Sequence, residues 1–271
     1  MKLSATLSAV LLASSALAAP LTEERRARAL ARLQAREFSH NSNPLLVPDS
    51  KDFLQVNSPL QTNYSGNWAG GVLVGSGYTS VSAEFTVPTP SAPSGGGGSQ
   101  SCASAWVGID GDTCTTAILQ TGLDFCISGG SPSYDAWYEW YPDSAYDFSG
   151  ITFSAGDTVK VTVEASSMSS GTATIENTSS GKTVNHQFSG QSQGSLCETN
   201  AEWIVEDFES GGSMVPFANF GTVTFTNAQA TSDGSSVGPG QATVLDIRQN
   251  NQVLTSSSVS DSSVVVKYSA S

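Results

Sequence analysis

Acidic side chains crowd into the stretch CETNAEWIVEDFES at residues 197–210, and no basic residue stands among them. In chain order these are Glu198, Glu202, Glu206, Asp207 and Glu209, and the nearest basic residues along the sequence are Lys182 and Arg248. Like charges at short range, together with partial burial, raise the pKa of a carboxyl group. Such a cluster costs stability at neutral pH, and it suits proton transfer in an acidic medium.

The residue patterns required for nucleophilic catalysis are missing from the chain after residue 60. A Ser-His-Asp arrangement needs a base, and the single histidine there, His186, stands in TVNHQFS without a serine elbow nearby. The string ILQTG at 118–122 has the shape of an aspartic-protease loop, but Gln120 occupies the place of the Asp. The chemistry that remains is acid–base catalysis by a carboxylate, assisted by an amide.

The alternation within AEWIVEDF predicts a strand that points carboxylates to one side. Glu202, Ile204, Glu206 and Phe208 would share one face, and Trp203, Val205 and Asp207 the other. Glu206 lies further into the apolar stretch than Glu209. Desolvation should therefore raise its pKa towards a range useful for a base in mild acid.

The first residues, MKLSATLSAVLLASSALAAP, have the form of a secretory signal peptide. One Lys precedes an apolar run, and the small-residue pattern Ala16-Leu17-Ala18 predicts cleavage after Ala18. No later apolar run approaches the roughly 20 residues of a membrane span. We therefore expect a secreted, extracellular protein with no membrane partner.

The four cysteines agree with an oxidising compartment. Cys102, Cys114, Cys126 and Cys197 lack the short paired spacings of a metal site, so we expect two disulfides and no metal or cofactor. Three pairings remain open at this point.

Charge divides the chain into a basic leader and an acidic body. Residues 21–36 hold five Arg and two Glu in an Ala/Leu-rich stretch that reads as an amphipathic helix, whereas residues 63–271 hold four basic and nineteen acidic residues, a net charge of −15. This division suggests a propeptide at about 19–60 that docks on and inhibits a mature domain at 61–271; the alternative is a solvated linker. The acidic body argues against nucleic acid as a partner.

Helix-length periodicity is missing from the body, and short runs rich in Val, Ile, Thr and aromatic residues recur between turn residues. These are WAGGVLV, AEFTV, ASAWVGI, TAILQTG, DAWYEWY, ITF, TVKVTVEA, TATIEN, TVNHQFS, AEWIVEDF, GTVTFTN, ATVLDI and SVVVKY. The pattern predicts an all-β sandwich or barrel of antiparallel strands. The Pro/Gly/Ser-rich residues 88–101 should form a mobile surface loop between two strands.

Six ordered strings closely resemble the fungal glutamic peptidases, or eqolisins, across nearly the whole body. They are YSGNWAG, ASAWVGIDGDTC, AILQTGLDF, YDAWYEWYP, LCETNAEWIVEDFESG and VPFANFGTVTFTNA. The resemblance implies a secreted, acid-active endopeptidase built as a concanavalin-like β-sandwich of two antiparallel sheets. Because protonation of carboxylates in acid would weaken the attraction between the basic leader and the acidic body, we also expect a zymogen that processes itself, and a monomer that acts on proteins or peptides.

The resemblance also implies roles for specific residues. It implies Gln120 and Glu206 as the catalytic pair, with Trp106, Asp110, Asp135 and Glu139 in supporting roles. It implies the disulfides Cys102–Cys126 and Cys114–Cys197. Some relatives carry a longer insert where this chain has a short Gly/Ser loop at 94–101, and excision of that insert gives a two-chain enzyme. Because the loop is short here, we do not expect a two-chain product.

The residues themselves fit this assignment. Glu206 could take a proton from water and return it to the leaving nitrogen, and Gln120 could donate from its NH2 group to the oxyanion without carrying charge. The alternative is that Gln120 only satisfies backbone groups of a sheet. In DAWYEWYP, Trp137, Glu139 and Tyr141 would share a side that could line a substrate groove, opposite Tyr138 and Trp140.

Two rival functions remain open from the residues alone. A secreted jelly-roll glycoside hydrolase could use Glu202 and Glu206 as its carboxylate pair, although residues four apart on a strand are separated by about 13 Å. A lectin or adhesin would need no proton transfer at all. Asn63 and Asn177 begin N-glycosylation sequons.

Overall fold

Two β-sheets stacked face to face form the fold in a computed structural model that describes residues 40–46, 62–93 and 100–270. The sandwich predicted from the sequence is confirmed. The signal peptide and the amphipathic stretch at 21–36 lie outside the described residues. No helix in the described ranges is long and apolar enough to cross a membrane.

The strands of the described residues are numbered along the chain. They are β1 (His40–Asn41), β2 (Asn63–Ser65), β3 (Trp68–Val74), β4 (Tyr78–Thr86), β5 (Ser101–Ile109), β6 (Ile118–Ser128), β7 (Ser131–Tyr141), β8 (Tyr146–Asp147), β9 (Thr158–Ser167), β10 (Ser170–Asn177), β11 (Lys182–Phe188), β12 (Asn200–Glu206), β13 (Glu209–Ser210), β14 (Ser213–Met214), β15 (Thr222–Ser232), β16 (Ser235–Val237), β17 (Thr243–Gln249), β18 (Gln252–Val253), β19 (Thr255–Val259) and β20 (Val264–Tyr268). A short 3-10 turn, Pro239–Gln241, precedes β17.

The larger sheet, called here the front sheet, has the order β18-β17-β3-β12-β5-β6-β7-β8, with β2 running parallel to β17. The back sheet has the order β11-β10-β9-β4-β15-β20-β19, with β16 beside β15. A small third sheet joins β1, β13 and β14. The connection through residues 88–100 leads from β4 in the back sheet to β5 in the front sheet, and residues 94–99 lie outside the described ranges.

Alternating side chains explain why the two sheets pack together. In β9, Val159, Val161 and Val163 are buried, while Lys160 and Glu164 are exposed. In β12, Trp203 and Val205 enter the core between the sheets, and Ile204 joins a second apolar cluster on the outer face of the front sheet. The front sheet is therefore apolar on both faces, and the outer one is where its carboxylates lie.

The outer face of the back sheet is exposed and polar. The lysines among the described residues, Lys160, Lys182 and Lys267, lie on its strands β9, β11 and β20, and all three are exposed.

Two strand predictions need comment. The run ITF at 151–153 is not a strand, because the Thr152 carbonyl accepts its hydrogen bond from the Asn177 side chain, while Phe153 still packs into the core. Conversely β19, sequence TSSSV, was missed because it is serine-rich. It pairs with β20, and its Thr255 hydroxyl accepts the Ile247 N–H.

Both disulfides are present in the pairing that the family resemblance implied. Cys102–Cys126 joins β5 to β6, and Cys114–Cys197 joins the loop after β5 to the segment before β12. Both bonds therefore hold the front sheet or the loops that enter it.

Gly122 in β6 makes room for a tryptophan to lie across the front sheet. A Cβ atom at this position would stand 2.5 Å from Trp106 Cβ and 2.5 Å from the Ala105 carbonyl oxygen. Trp106 itself is fully buried. Any side chain at 122 must displace it.

We expect Gly122→Ala to lower stability by about 1–3 kcal/mol through overpacking, and to lower activity because Trp106 moves. Thermal melts, and an assay of the endopeptidase activity that the family resemblance implies, would measure the two effects. Gly129→Ala is the control: its Cβ would meet nothing within 4 Å, and its φ of 57° strains only the backbone. Loss of stability without loss of activity in both variants would contradict the role given to Trp106.

Candidate active site

Three rows of side chains cross the outer face of the front sheet. Read across β12, β5, β6 and β7, they are Glu202, Gly108, Gln120 and Glu139; Ile204, Trp106, Gly122 and Trp137; and Glu206, Ser104, Asp124 and Asp135. The predicted alternation of β12 and β7 is therefore confirmed. It brings Gln120 and Glu206 to one face, separated by the row that contains Trp106.

Glu206 is fully buried and is surrounded mainly by neutral hydrogen-bond donors. The Trp106 indole N–H donates to Oε2 at 2.9 Å, and the Asn67 amide donates to Oε1 at 3.4 Å. The Ser42 hydroxyl also donates to Oε2. Burial raises the pKa of Glu206 to about 7, while the His40 ring and the hydrogen bonds from Ser42 and Trp106 limit the rise.

Gln120 is fully buried and bound to Glu139. Its Nε2 donates to Glu139 Oε2 at 3.0 Å, and its Oε1 has no hydrogen-bond partner among the described residues. Burial raises the pKa of Glu139 well above its ordinary value, and the neighbouring Glu206 raises it further. Glu139 is therefore a neutral acid under acidic conditions, and the second hydrogen of the Gln120 NH2 group has no acceptor within the described part of the chain.

A segment from the predicted propeptide lies against these residues. Residues 40–46, called here the cleft segment, begin with β1, which pairs with β13. The backbone N–H groups of Ser42 and Asn43 lie beside the carboxyl groups of Glu139 and Glu206, respectively, and limit the rise of their pKa values. Further along, the Leu45 N–H donates to the Gly111 carbonyl at 3.2 Å.

The His40 side chain of the cleft segment is buried in an aromatic pocket. Its ring stacks on Trp137 and lies against Phe208, with both centroids at 4.2 Å. Its Nδ1 lies 3.1 Å from Asp124 Oδ2, and its Nε2 lies 3.3 Å from Ser42 Oγ. The imidazole therefore connects the floor of the cleft to the residue that contacts Glu206.

Asp110 lies away from Glu206 and holds a loop. Its Oδ2 accepts the N–H groups of Cys197 and Glu198, and its Oδ1 accepts those of Thr199 and Asn200, at 2.7 to 3.1 Å. These bonds fix the entry into β12. Asp110, Cys114 and Cys197 lie within metal-ligand distance, but both sulfurs are in a disulfide, so this group offers no thiolate.

The two remaining predicted site residues, Asp135 and Tyr141, lie at the margin of the site. Asp135 pairs in register with Asp124, and partial desolvation of its carboxyl group, followed by the charges of Asp124 and Asp147, raises its pKa. Tyr141 is partly buried and packs on the apolar cluster that includes Trp68 and Trp106.

Glu202 is fully buried, and neither carboxyl oxygen has a hydrogen-bond partner among the described residues. Burial, followed by the charges of Asp110 and Asp112, raises its pKa well above the ordinary value. Glu202 is therefore neutral in acid. It stands four residues from Glu206, about 13 Å along the strand, which is too far for the usual retaining pair of a glycoside hydrolase.

Sequence reasoning missed several residues that surround Glu206. Asn67 stands in the string YSGNWAG and Asp124 in AILQTGLDF, so both lie within recognised motifs without having been singled out. Ser42 and His40 carry no motif signal. Only the chain topology brings them to the site.

The comparisons with known proteins agree with this geometry. The model of the Peptidase A4 family matches residues 66–268. The chain belongs to this family. It is a glutamic-type acid endopeptidase, as the resemblance implied, and the rival glycosidase and lectin functions are set aside.

Individual relatives match over almost their full length. Aspergillopepsin-2 of Aspergillus niger is 60% identical over 99% of this chain and 100% of that protein, and scytalidopepsin B of Scytalidium lignicola is 48% identical over 97% of each. A crystal structure of scytalido-glutamic peptidase with a transition state analog inhibitor superposes with a TM-score of 0.70 at 49% identity, covering 75% of this chain and 98% of that one. Aspergilloglutamic peptidase from Aspergillus niger gives 0.61 at 70% identity, covering 62% and 99%.

Buried carboxyl groups predict the direction of the pH dependence of stability in this peptidase. Burial raises the pKa of Asp207 to about 7 and that of Asp246 to about 6, and it raises those of Glu202 and Glu139. The unfolded chain releases these protons near pH 4. The folded protein thus binds more protons between about pH 4 and 7, so its stability is greatest in acid and falls as pH rises through this range.

Thermal melts from pH 4 to 7.5 should show a falling midpoint. Asp246→Asn should reduce the fall between pH 4 and 6, whereas Glu164→Gln, an exposed position on β9, should leave the curve unchanged. A midpoint that is higher at neutral pH than in acid would contradict the prediction.

Proposed function

We propose that the protein is made as a secreted zymogen whose mature, single-chain monomer hydrolyses peptide bonds with Glu206 and Gln120. The signal peptide would be residues 1–18, the propeptide about 19–60 and the mature domain 61–271. The observation that carries the catalytic assignment is the place of the Ser42 hydroxyl group, which donates to Glu206 Oε2.

The Ser42 hydroxyl stands where an attacking water would have to stand. It donates to the proposed base, while the N–H of the same residue lies beside Glu139, the partner of Gln120. A water molecule that gives a proton to Glu206 and attacks a carbonyl carbon held beside Gln120 would occupy the same position. The geometry thus supports a water activated between these two side chains.

The proposed reaction needs two proton transfers. Ionised Glu206 takes a proton from water as the water oxygen bonds to the carbonyl carbon, and the free hydrogen of Gln120 Nε2 donates to the developing oxyanion. Glu206 then returns the proton to the leaving nitrogen as the C–N bond breaks. Glu139 holds the Gln120 amide in place through the other hydrogen.

The occupied cleft does not hold Glu206 in its working state. With a pKa of about 7 the carboxyl group is protonated in acid, and the larger cause of that value is burial. Release of the cleft segment readmits water, so we expect the pKa to fall and the base to ionise in acid.

Glu206→Gln keeps the volume of the side chain but removes the group that moves the proton, so turnover should fall by about 10²–10⁴. Gln120→Ala removes the oxyanion donor and should cost about 10²–10³ in turnover, with KM much less affected. Casein cleavage in acid measures both. A purified Glu206→Gln precursor should also stay full length in acid, whereas the wild-type precursor shortens itself.

Glu202→Gln and Glu209→Gln are the matched controls. Glu202 is already neutral in acid and Glu209 lies in β13 at the rim, so both variants should keep most of their activity. If Glu202→Gln were inactive and Glu206→Gln active, the catalytic register would be wrong. If all these variants stayed active, the mechanism itself would fail.

We also propose that the propeptide inhibits through the cleft segment. The basic charges at 21–36, which lie outside the described residues, would hold the leader on the acidic body at neutral pH, and protonation of carboxylates would weaken that attraction. The raised pKa of Glu206 acts in the opposite direction, because a protonated Glu206 favours the occupied cleft in acid. Full activation should therefore require cleavage of the segment as well as acid.

A synthetic peptide of residues 39–48 should inhibit the mature enzyme competitively. Replacing Ser42 by Ala should weaken inhibition by about 10-fold or more, because a hydrogen bond to the buried carboxyl group is lost. Replacing Leu46, whose side chain is 42% exposed, by Ala is the control and should change little. Equal inhibition by all three peptides would show that Ser42 does not occupy the water position.

A further inference from the structure

Asn67 is the remaining hydrogen-bonding side chain on Glu206, and the reaction scheme above gives it no role. It stands in the turn between β2 and β3 and is 1% exposed. Trp106 binds Glu206 at Oε2, whereas Asn67 binds at Oε1. The two donors therefore hold different oxygens of one carboxyl group.

Two further contacts of the Asn67 side chain are to the backbone of the cleft segment. Its Nδ2 donates to the Asn43 carbonyl at 3.2 Å, and its Oδ1 accepts the Leu46 N–H at 3.0 Å. A carbonyl can only accept and an N–H can only donate, so these partners fix which way the amide points. Both partners are main-chain atoms, which every peptide offers.

The turn that carries Asn67 is itself tightly held. The Ser65 hydroxyl donates to Asn67 Oδ1 at 3.0 Å and accepts the N–H groups of Asn67 and Trp68. The Asn67 carbonyl accepts the Asp207 N–H at 2.9 Å, one residue beyond Glu206. The amide is thus fixed relative to the proposed base before any peptide binds.

We infer that Asn67 is a positioning residue that grips the backbone of an extended peptide and sets it in register with the Glu206 carboxyl group. The inference rests on the proposed function, because it takes the cleft segment to follow the path of a substrate. Asn67 contacts Asn43 and Leu46 of the cleft segment, which follow Ser42 by one and four residues. The favoured substrate is therefore a peptide that runs several residues past the reacting bond on that side.

Peptides of increasing length test the backbone grip. Two series should share one cleaved bond and be lengthened one residue at a time on either side. For the wild-type mature enzyme we expect kcat/KM to rise along one series as the peptide reaches Asn67. In Asn67→Ala that gain should disappear, a loss of about 10-fold for the longest peptide, chiefly in KM, with less than about 3-fold for the shortest.

A second variant tests the contact with Glu206. In Asn67→Asp a new carboxylate faces Glu206 and disfavours its ionised form, so the acidic limb of the kcat profile should move to higher pH. Asn67→Ala should leave that limb nearer its wild-type position. A residue that only stabilised the turn would move neither the length dependence nor the pH limb.

Asn177→Ala is the matched control for a buried amide. Asn177 is 2% exposed, and its Nδ2 donates to the Thr152 carbonyl and to Asp157, far along the chain from the cleft residues. We expect it to lower the melting temperature and leave the kinetics unchanged. If Asn67→Ala behaved in the same way, the inference would be overturned.

Glu206→Gln, assayed in parallel, separates the two proposals. An inactive Glu206→Gln beside an Asn67→Ala enzyme with full length dependence overturns only the role of Asn67. An active Glu206→Gln overturns the proposed function, and the role of Asn67 with it.

Discussion

The constraint on which this structure depends is a buried carboxyl group, Glu206, to which no lysine or arginine of the described residues donates a hydrogen bond. Burial disfavours the charged form, and a paired cation would be the ordinary remedy. Here the lysines of the described residues lie on the opposite sheet, and Glu206 accepts hydrogen bonds from an indole, an amide and a hydroxyl group. Neutral donors stabilise an ionised carboxylate less than a cation does, and they leave it able to take up and release a proton.

The need for these donors explains features elsewhere in the front sheet. The Trp106 indole can reach Glu206 only because Gly122 leaves space for its Cβ atom. Gly108, two residues after Trp106 on the same strand, also leaves space for the indole ring, since a Cβ atom there would stand 2.8 Å from it. Asp110, at the end of the same strand, fixes the loop that starts β12 and thereby the register of Glu206. Residues distant from the chemistry thus set the direction of one side chain.

Much of this arrangement follows from sequence alternation. The pattern in β12 predicts that Glu202 and Glu206 share a face, because side chains in a strand alternate regardless of tertiary context. The choice of Gln120 over other amides came from a family resemblance, since nothing local distinguishes it from a residue that satisfies a sheet. Asp110 could not be understood from sequence, because its partners are backbone N–H groups 87 to 90 residues away. The position of the cleft segment could not be predicted from local sequence patterns, because Ser42 and Glu206 are 164 residues apart in the chain.

The placement of the lysines has a practical meaning. Lys160 and Lys267 are exposed on the outer face of the back sheet, on the side of the sandwich opposite the cleft, and Lys182 is exposed at the start of the edge strand β11. Reagents that couple to primary amines would attach the catalytic domain to a bead or a sensor surface mainly through that sheet. An immobilised enzyme would then present its cleft to the solution, and the orientation would come from the natural sequence without an engineered tag.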